Sequence, residues 1–462
     1  MNLLRQRIPY QRDSAELYQR LRHLGDGFLL ESGDRHPGHH VDVLSVAPVH
    51  QHRLNPGANT EQLQSTLQAI QYQLQTLMAL WMTAPSTRSS SPLFRSPLPG
   101  WYGLWSYEAG GLTESVTLSA PSLDLPWLWM GFFPSIIVTN HLNKTCYLIG
   151  LSGFEAHFQS LLQALPESES NSSTTQKRDT NTSLSTFRLT SPFTSNLDQT
   201  EYTARFDRIQ QYIHQGDCYQ INLAQRFSTH YEGSPWLAYR RLQRHTQSPM
   251  GGFFEAENWS VLSTSPERFI QVQNRQVTTQ PIKGTRPRHA DPKQDQQLAQ
   301  ILANSAKDRA ENLMIVDLLR NDLGRSCITG SVSVPKLFNV ESFSNVHHLV
   351  STITGELKDD AHPLELIYNA FPGGSITGAP KHRAMEIIDE LEPHGRSFYC
   401  GIALYCDIAG NLDSNILIRT LVTHHNQIHC WGGGGIVADS VCEQEYRETL
   451  DKVGHLLTLL SD

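Results

Sequence analysis

Strand-like and helix-like runs succeed one another irregularly along this chain, and that irregularity constrains its fold more than any single motif. Short apolar runs at Phe28 to Leu30, Val41 to Val46, Ile136 to Val138 and Cys146 to Ile149 are interspersed with helical patterns at Ser14 to Leu24 and Thr60 to Met82. A further helical pattern at about Asp198 to Gln215 precedes strands and helices in no fixed order. A doubly wound parallel sheet needs one helix per strand, so an antiparallel α+β architecture is predicted instead. The apolar window Pro126 to Thr139 is broken by Gly131 and Pro134 and falls short of the ~18 residues of a membrane span, so it reads as buried strands.

Two stretches differ in composition: Thr83 to Pro99, and a longer Ser, Thr, Asn and Gln-rich segment at about 166–197. Both lack the apolar side chains that would offset the entropy of ordering, and they read as mobile loops or linkers. The second divides the chain into an N-terminal region at 1–165, a polar linker at 166–197 and a region at 198–462.

Charge narrows the function. Lys and Arg number 37 against 45 Asp and Glu, a net charge of −8 over 462 residues, which offers no basic field to a nucleic acid. Neither nucleic acid nor membrane is expected as a partner. The seven cysteines are scattered without a CxxC pair, so no disulfide framework or zinc knuckle is indicated, and a reducing, cytoplasmic compartment fits. The N-terminus MNLLRQRIPYQRDSAEL carries charges and a proline where a secretory signal needs an apolar run.

Two acidic pairs stand at helical spacing. Asp308 and Glu311 share a face in NSAKDRAENLMIVDLLRNDLGR, and Glu445 and Glu448 repeat the device in EQEYRETLDKVGHLL, with Lys452 one turn on. Taken singly, such residues are solvated acids favoured by a helix dipole. Converging, they would repel by roughly 4 kcal/mol per pair at about 4 Å and an effective dielectric of ~20, and would need a cation. Oxygen ligands of this kind select Mg²⁺.

Other residues admit two readings each. PGGSITGAP at 372–380 and the glycines of WGGGGIVADS are either tight turns or backbone surfaces that approach an anion. Arg419 in NILIRTLV is a surface arginine or a bidentate clamp on a carboxylate. Of His347 and His348, at most one can face a given side of a strand. Lys283 in TTQPIKGTRPR is a surface lysine unless burial lowers its pKa from ~10.4, which a nucleophile requires. Glu267 in LSTSPERFI is a partner for Arg268 or a general acid.

Taken together, SPERF, PIKGT, SAKDRAENLMIVDLLRNDLGR, VHHLVSTITGEL, FPGGSITGAPKHRAMEIIDELEP and GGGGIVADS…EYRETLDK resemble the chorismate-utilising enzymes over about Tyr202 to Leu457. The N-terminal LLESG and GLWSYEAGG are similar too. The resemblance implies a large two-sheet antiparallel β-sandwich surrounded by helices. It implies Mg²⁺ on Glu311 and Glu448, with Asp308 and Glu445 in support through water. Chorismate would be held through Arg419, Gly433, Gly434, Thr285 and Lys452, with His348 near the ring and His347 structural. PIKGT, where anthranilate synthases read PIAGT, points to the branch that aminates chorismate at C4. There Lys283 would attack C2, Glu267 would protonate the departing hydroxyl, and ammonia would enter at C4. Isochorismate and salicylate synthases place a water-activating lysine where this chain has Gln220 in the substrate site, so hydroxyl transfer is disfavoured. No cysteine sits in a GxCxG elbow, so ammonia is expected from a separate glutamine amidotransferase subunit. Ser32 of LLES coincides with the element that binds tryptophan in anthranilate synthases and is carried as a candidate indole-pocket residue. Anthranilate synthesis is the alternative activity, and a non-catalytic amino-acid-binding or partner module the alternative of another class. Leu404 before Tyr405, and Trp431 before the glycines, depart from the family pattern.

Overall fold

The computed structural model describes residues 1–33, 40–82, 97–165, 186–343 and 346–461. Among the described residues two antiparallel sheets, of 13 and 10 strands, face each other, with helices outside. The first runs in the order Leu3–Ile8, Thr145–Leu151, Ser135–Asn140, Val41–Val46, Gly27–Glu31, Gly251–Ala256, Trp259–Ser263, Thr420–His424, Gln427–Ile436, Gln220–Gly233, Thr194–Ser195. The second runs Ile282–Pro287, Val346–Glu356, Gln276–Thr279, Arg268–Gln273, Leu412–Ile416, Ile402–Asp407, Gly100–Trp105, Leu128–Phe133, His50–Leu54. The predicted α+β sandwich is therefore the observed architecture.

Aromatic side chains bind the sheets face to face. Phe28 of the first stacks on Tyr102 of the second at 4.3 Å between centroids, and Trp259 meets Trp129 edge-on at 5.7 Å. Such rings each remove a large apolar area from water and add a geometric preference to it. Outside, helix Thr60–Met82 buries Leu63, Leu67, Ile70, Leu74, Leu77 and Trp81, a spacing of alternate fours and threes that makes one stripe. Helix Gln199–Gln215 starts where the sequence suggests, because Asp198 accepts from the Glu201 amide and Glu201 returns the bond to the Asp198 amide.

Among the described residues four short connections carry the chain from one sheet to the other, the first being 47–49, between Val41–Val46 and His50–Leu54. Pro134 alone separates Leu128–Phe133 from Ser135–Asn140, which explains why the apolar window breaks there. Residues 264–267 join Trp259–Ser263 to Arg268–Gln273, and 417–419 join Leu412–Ile416 to Thr420–His424. These last two crossings bring Glu267 and Arg419 to the seam between the sheets. Arg419 thus lies outside the regular strand read from NILIRTLV; it has φ of 50°, and its carbonyl accepts from the Thr264 amide and hydroxyl.

The polar segments divide differently from expectation. Residues 83–96 and 166–185 lie outside the described residues, but the end of the expected linker is built into the first sheet. Phe187–Leu189 and Thr194–Ser195 pair with Gln220–Gly233, which satisfies backbone groups that the polar composition did not announce. Leu98, at the end of the other segment, is buried and accepts from the Tyr102 hydroxyl through its carbonyl. Leu404, the departure beside Tyr405, is buried in the second sheet opposite Gly103.

Candidate active site

At the seam of the two sheets, strand Ile282–Pro287 bulges. Lys283 pairs with Leu349 and Thr285 with His348, so Gly284 is the extra residue, at φ of 72° with Asp308 2.8 Å from where a Cβ would be. A Cβ does not fit there, and glycine lets the backbone approach the acidic helix. The bulge lines a cavity of about 620 Å³ together with Glu267, Arg419, helix Ala306–Ser326, helix Cys442–Ser461 and the glycines of Gln427–Ile436. That volume suits a small-molecule substrate.

The two catalytic candidates line the same cavity, Glu267 buried and Lys283 half-buried. Burial pushes the Lys283 pKa below its ordinary value, against the opposing pull of Glu311 and Glu267, and the Lys283 ammonium donates to the Ser375 carbonyl at 3.3 Å. Burial likewise raises the Glu267 pKa, against the pull of Lys283. Both groups are driven toward their neutral forms, an amine and a carboxylic acid. His348 bonds Thr285 Oγ1 through Nδ1 at 2.9 Å, and burial with the Arg419 charge lowers its pKa to about 4, so it is neutral at pH 7. His347 turns the other way, to Asp295 at 3.0 Å and Ser342 at 2.8 Å, which is the structural part expected for it. Arg419 lines the cavity as a largely buried guanidinium, its pKa lowered by burial against the opposing charge of Glu267.

Both acidic pairs reach this cavity. Ser305 caps the first helix by accepting from the Asp308 amide, and Asp308 pairs with Arg286 at 3.2 Å. Burial raises the Glu311 pKa, with Lys283 and Lys307 opposing and Asp308 and Glu445 adding to it. Glu448 behaves oppositely: burial pushes it up, but Lys452 at 2.7 Å outweighs that and leaves its pKa low. Lys452 also donates to the Gly433 carbonyl at 2.8 Å. Among the described residues no three such side chains are gathered into a ready-made metal cage. An oxygen-only set drawn from two helices, with room left for water and an anion, suits a hard divalent cation such as Mg²⁺.

The glycine strand supplies backbone. Its neighbour Thr420–His424 pairs with it only as far as Cys430, so among the described residues 431–436 have ladder partners on one side only. Gly432, Gly433 and Gly435 line the cavity. A Cβ at Gly434 would lie 3.1 Å from Glu445 and 3.6 Å from Glu448, two of the acids that line the same cavity. Gln220 is fully buried one layer behind, against Gly435, and both its amide atoms are without a partner among the described residues.

Several cavity residues escaped the sequence reading. Arg286 and Lys307 sit inside the quoted motifs, beside residues singled out there. Asn222, Ser375 and Tyr399 come from three separate segments, and of these only Ser375 lies inside a motif quoted above. Trp431 stacks on Tyr399 at 5.9 Å and 4° between planes, which gives the unusual tryptophan a place in the wall.

Ser32 lies elsewhere. Its amide and hydroxyl both donate to Asp42 at 2.8 Å, and Asp42 pairs with His141 at 2.6 Å. Beside it Glu31 accepts from the Tyr239 hydroxyl and, at 3.0 Å, from Gln243. Burial, and then the Asp42 charge, raise the Glu31 pKa from 4.5 to about 8. A folded-state pKa above the unfolded one means that the fold holds a proton the unfolded chain releases, so stability should fall as pH rises from about 4.5 to about 8. Glu31→Gln should flatten that slope in thermal midpoints taken between about pH 5 and pH 9; parallel profiles would refute the assignment.

Comparison with known proteins places these motifs in context. A family model described as chorismate binding enzyme matches residues 28–458. Aminodeoxychorismate synthase component 1 of Salmonella typhimurium is 43% identical over 459 residues, spanning 97% of this chain and 96% of that protein. Anthranilate synthase component 1 of Bacillus caldotenax is 41% identical over 266 residues, 58% of this chain and 52% of that one. Among solved structures, anthranilate synthase component I from Streptococcus pneumoniae superposes with a TM-score of 0.74 at 27% identity, covering 90% of this chain and 92% of its own.

Proposed function

Because the chain belongs to the chorismate-binding enzyme family, we propose that it aminates chorismate at C4, giving 4-amino-4-deoxychorismate for 4-aminobenzoate and folate synthesis. The observation that carries this reading is the pairing of Lys283 with Glu267 in one cavity, where burial favours a free amine beside a protonated acid. In the proposed sequence the Lys283 amine forms a bond to C2, the ring double bonds shift, and the C4–O bond breaks. Glu267 protonates the hydroxyl, which leaves as water. Ammonia then bonds to C4, the electron shift reverses, and the C2–N bond breaks to return Lys283 with a proton. Neutral His348, held by Thr285, faces the ring without adding charge. Arg419 and the glycine strand would take the enolpyruvyl carboxylate, helped by Lys452.

Glu311 and Glu448 would hold Mg²⁺, supported by Asp308 and Glu445, and the metal when bound would neutralise the ring carboxylate. The relatives named component 1 support a second subunit, a glutamine amidotransferase, as the source of ammonia. Incubation with chorismate, Mg²⁺ and an ammonium salt should yield 4-amino-4-deoxychorismate that keeps its enolpyruvyl group, identified by mass and absorbance. Pyruvate and anthranilate as products would overturn the reading in favour of anthranilate synthesis.

A further inference from the structure

Each of the four acids of the two helical pairs has a cation from the chain itself, and Lys307 differs from the others in reaching both helices. Its Nζ is 3.9 Å from Glu311 on its own helix and 3.6 Å from Glu445 on helix Cys442–Ser461. Arg286 serves Asp308 and Lys452 serves Glu448, each from one side. Lys307 occupies the second residue of helix Ala306–Ser326, where the positive end of the helix dipole disfavours an ammonium, so its position there does not serve the helix. Exposure separates the partners: the Glu445 side chain is 3% exposed and that of Lys307 is 53% exposed. Ser440 Oγ also donates to Glu445 at 2.7 Å, yet a buried carboxylate still needs a counter-charge. It receives one from a side chain that can withdraw into water at small cost.

Resting on the metal site of the proposed function, we infer that Lys307 is the counter-ion of the metal-free site, bridging Glu311 and Glu445 until a divalent cation displaces it. Lys307 then has two effects. It holds the two acidic helix ends together when no metal is bound, and it sets the metal concentration at which the site fills. An ammonium is a single charge without the compact coordination geometry of a divalent ion, so it yields to Mg²⁺ while resisting monovalent competitors.

The test compares wild type, Lys307→Met and Lys307→Arg, with Mn²⁺ binding followed by electron paramagnetic resonance and thermal midpoints taken in EDTA and in saturating Mg²⁺. Lys307→Met should bind Mn²⁺ several-fold more tightly and melt lower than wild type in EDTA, with the difference closing in Mg²⁺. Lys307→Arg, which keeps the charge, should bind Mn²⁺ nearly as weakly as wild type. Unchanged or weaker Mn²⁺ binding by Lys307→Met would overturn the inference. So would tighter binding without loss of stability in EDTA, which a distant field effect would produce but a bridge would not. A Glu311→Gln control separates this result from the premise: if wild-type Mn²⁺ binding is indifferent to that change, the metal site itself fails, and the inference with it.

Discussion

Lys283→Ala should lower the rate of 4-amino-4-deoxychorismate formation by at least about 10²-fold while leaving the fold intact. Its amine is the nucleophile proposed for C2, and the other two lysines lining the cavity, Lys307 and Lys452, have side chains 53% and 41% exposed. Lys452 and Lys307 are both paired with carboxylates, at 2.7 Å to Glu448 and 3.9 Å to Glu311. Lys283→Arg should be equally inactive, because a guanidinium does not become neutral in water-accessible pH ranges. The covalent step has its own readout. Wild type given chorismate without ammonia should gain the mass of one chorismate less one water, on the peptide containing Lys283, and Lys283→Ala should not. Full activity in Lys283→Ala, or no such adduct in wild type, would remove the lysine from the mechanism. Glu267 belongs to the same argument, since burial raises its pKa toward the protonated form that the proposed departure of the hydroxyl would use.

The largest loss of stability should follow Arg396→Leu, at about 3–5 kcal/mol. Arg396 is almost wholly buried and meets Glu392 twice, at 2.9 Å and 2.6 Å, while donating to the Ile376 and Asn222 carbonyls at 2.8 Å each. Glu392 in turn accepts from the Ala224 amide at 2.8 Å. Removing the arginine leaves a buried carboxylate without its cation and two carbonyls without donors, and the cost comes mainly from those orphans. The double variant Arg396→Leu/Glu392→Leu should recover much of the loss, which chemical denaturation can measure as a coupling between the sites. Additive losses would mean that the two side chains act independently. Asn222, Ile376 and Tyr399 line the cavity, so the same crossbar braces one wall of the catalytic site.

Legibility in the sequence followed the range of the interaction concerned. The acidic pairs and the PIKGT lysine could be read because each is a local pattern, set by helical spacing or by adjacent residues in one strand. Helix Gln199–Gln215 was legible for the same reason, through its cap. Arg419 was recognisable by type, but its placement was not: the crossing between sheets at 417–419 depends on which strands accept the flanking segments. Tyr399, Asn222 and Ser375 converge only through tertiary packing: Ser375 sits in PGGSITGAP and Asn222 two residues from Gln220, yet neither local pattern says that the three meet. Gly434 illustrates a finer limit. Neighbouring glycines in a strand point to opposite faces, so a Cβ at Gly433 would meet Asn222 and Tyr399 while one at Gly434 would meet Glu445 and Glu448. The polar tail of the expected linker misled because edge pairing uses backbone groups, which any composition supplies.

The interleaving of the sheets also bears on how such a chain can be inherited. Gly251–Ala256 takes a ladder partner from Gly27–Glu31, and Ile402–Asp407 takes one from Gly100–Trp105. A gene cut near residue 186 would give each product two bared apolar strand edges, an invitation to aggregate. Exchange of halves between relatives must therefore import both sides of each ladder together, which binds the descent of residues 1–165 to that of the segment holding Lys283.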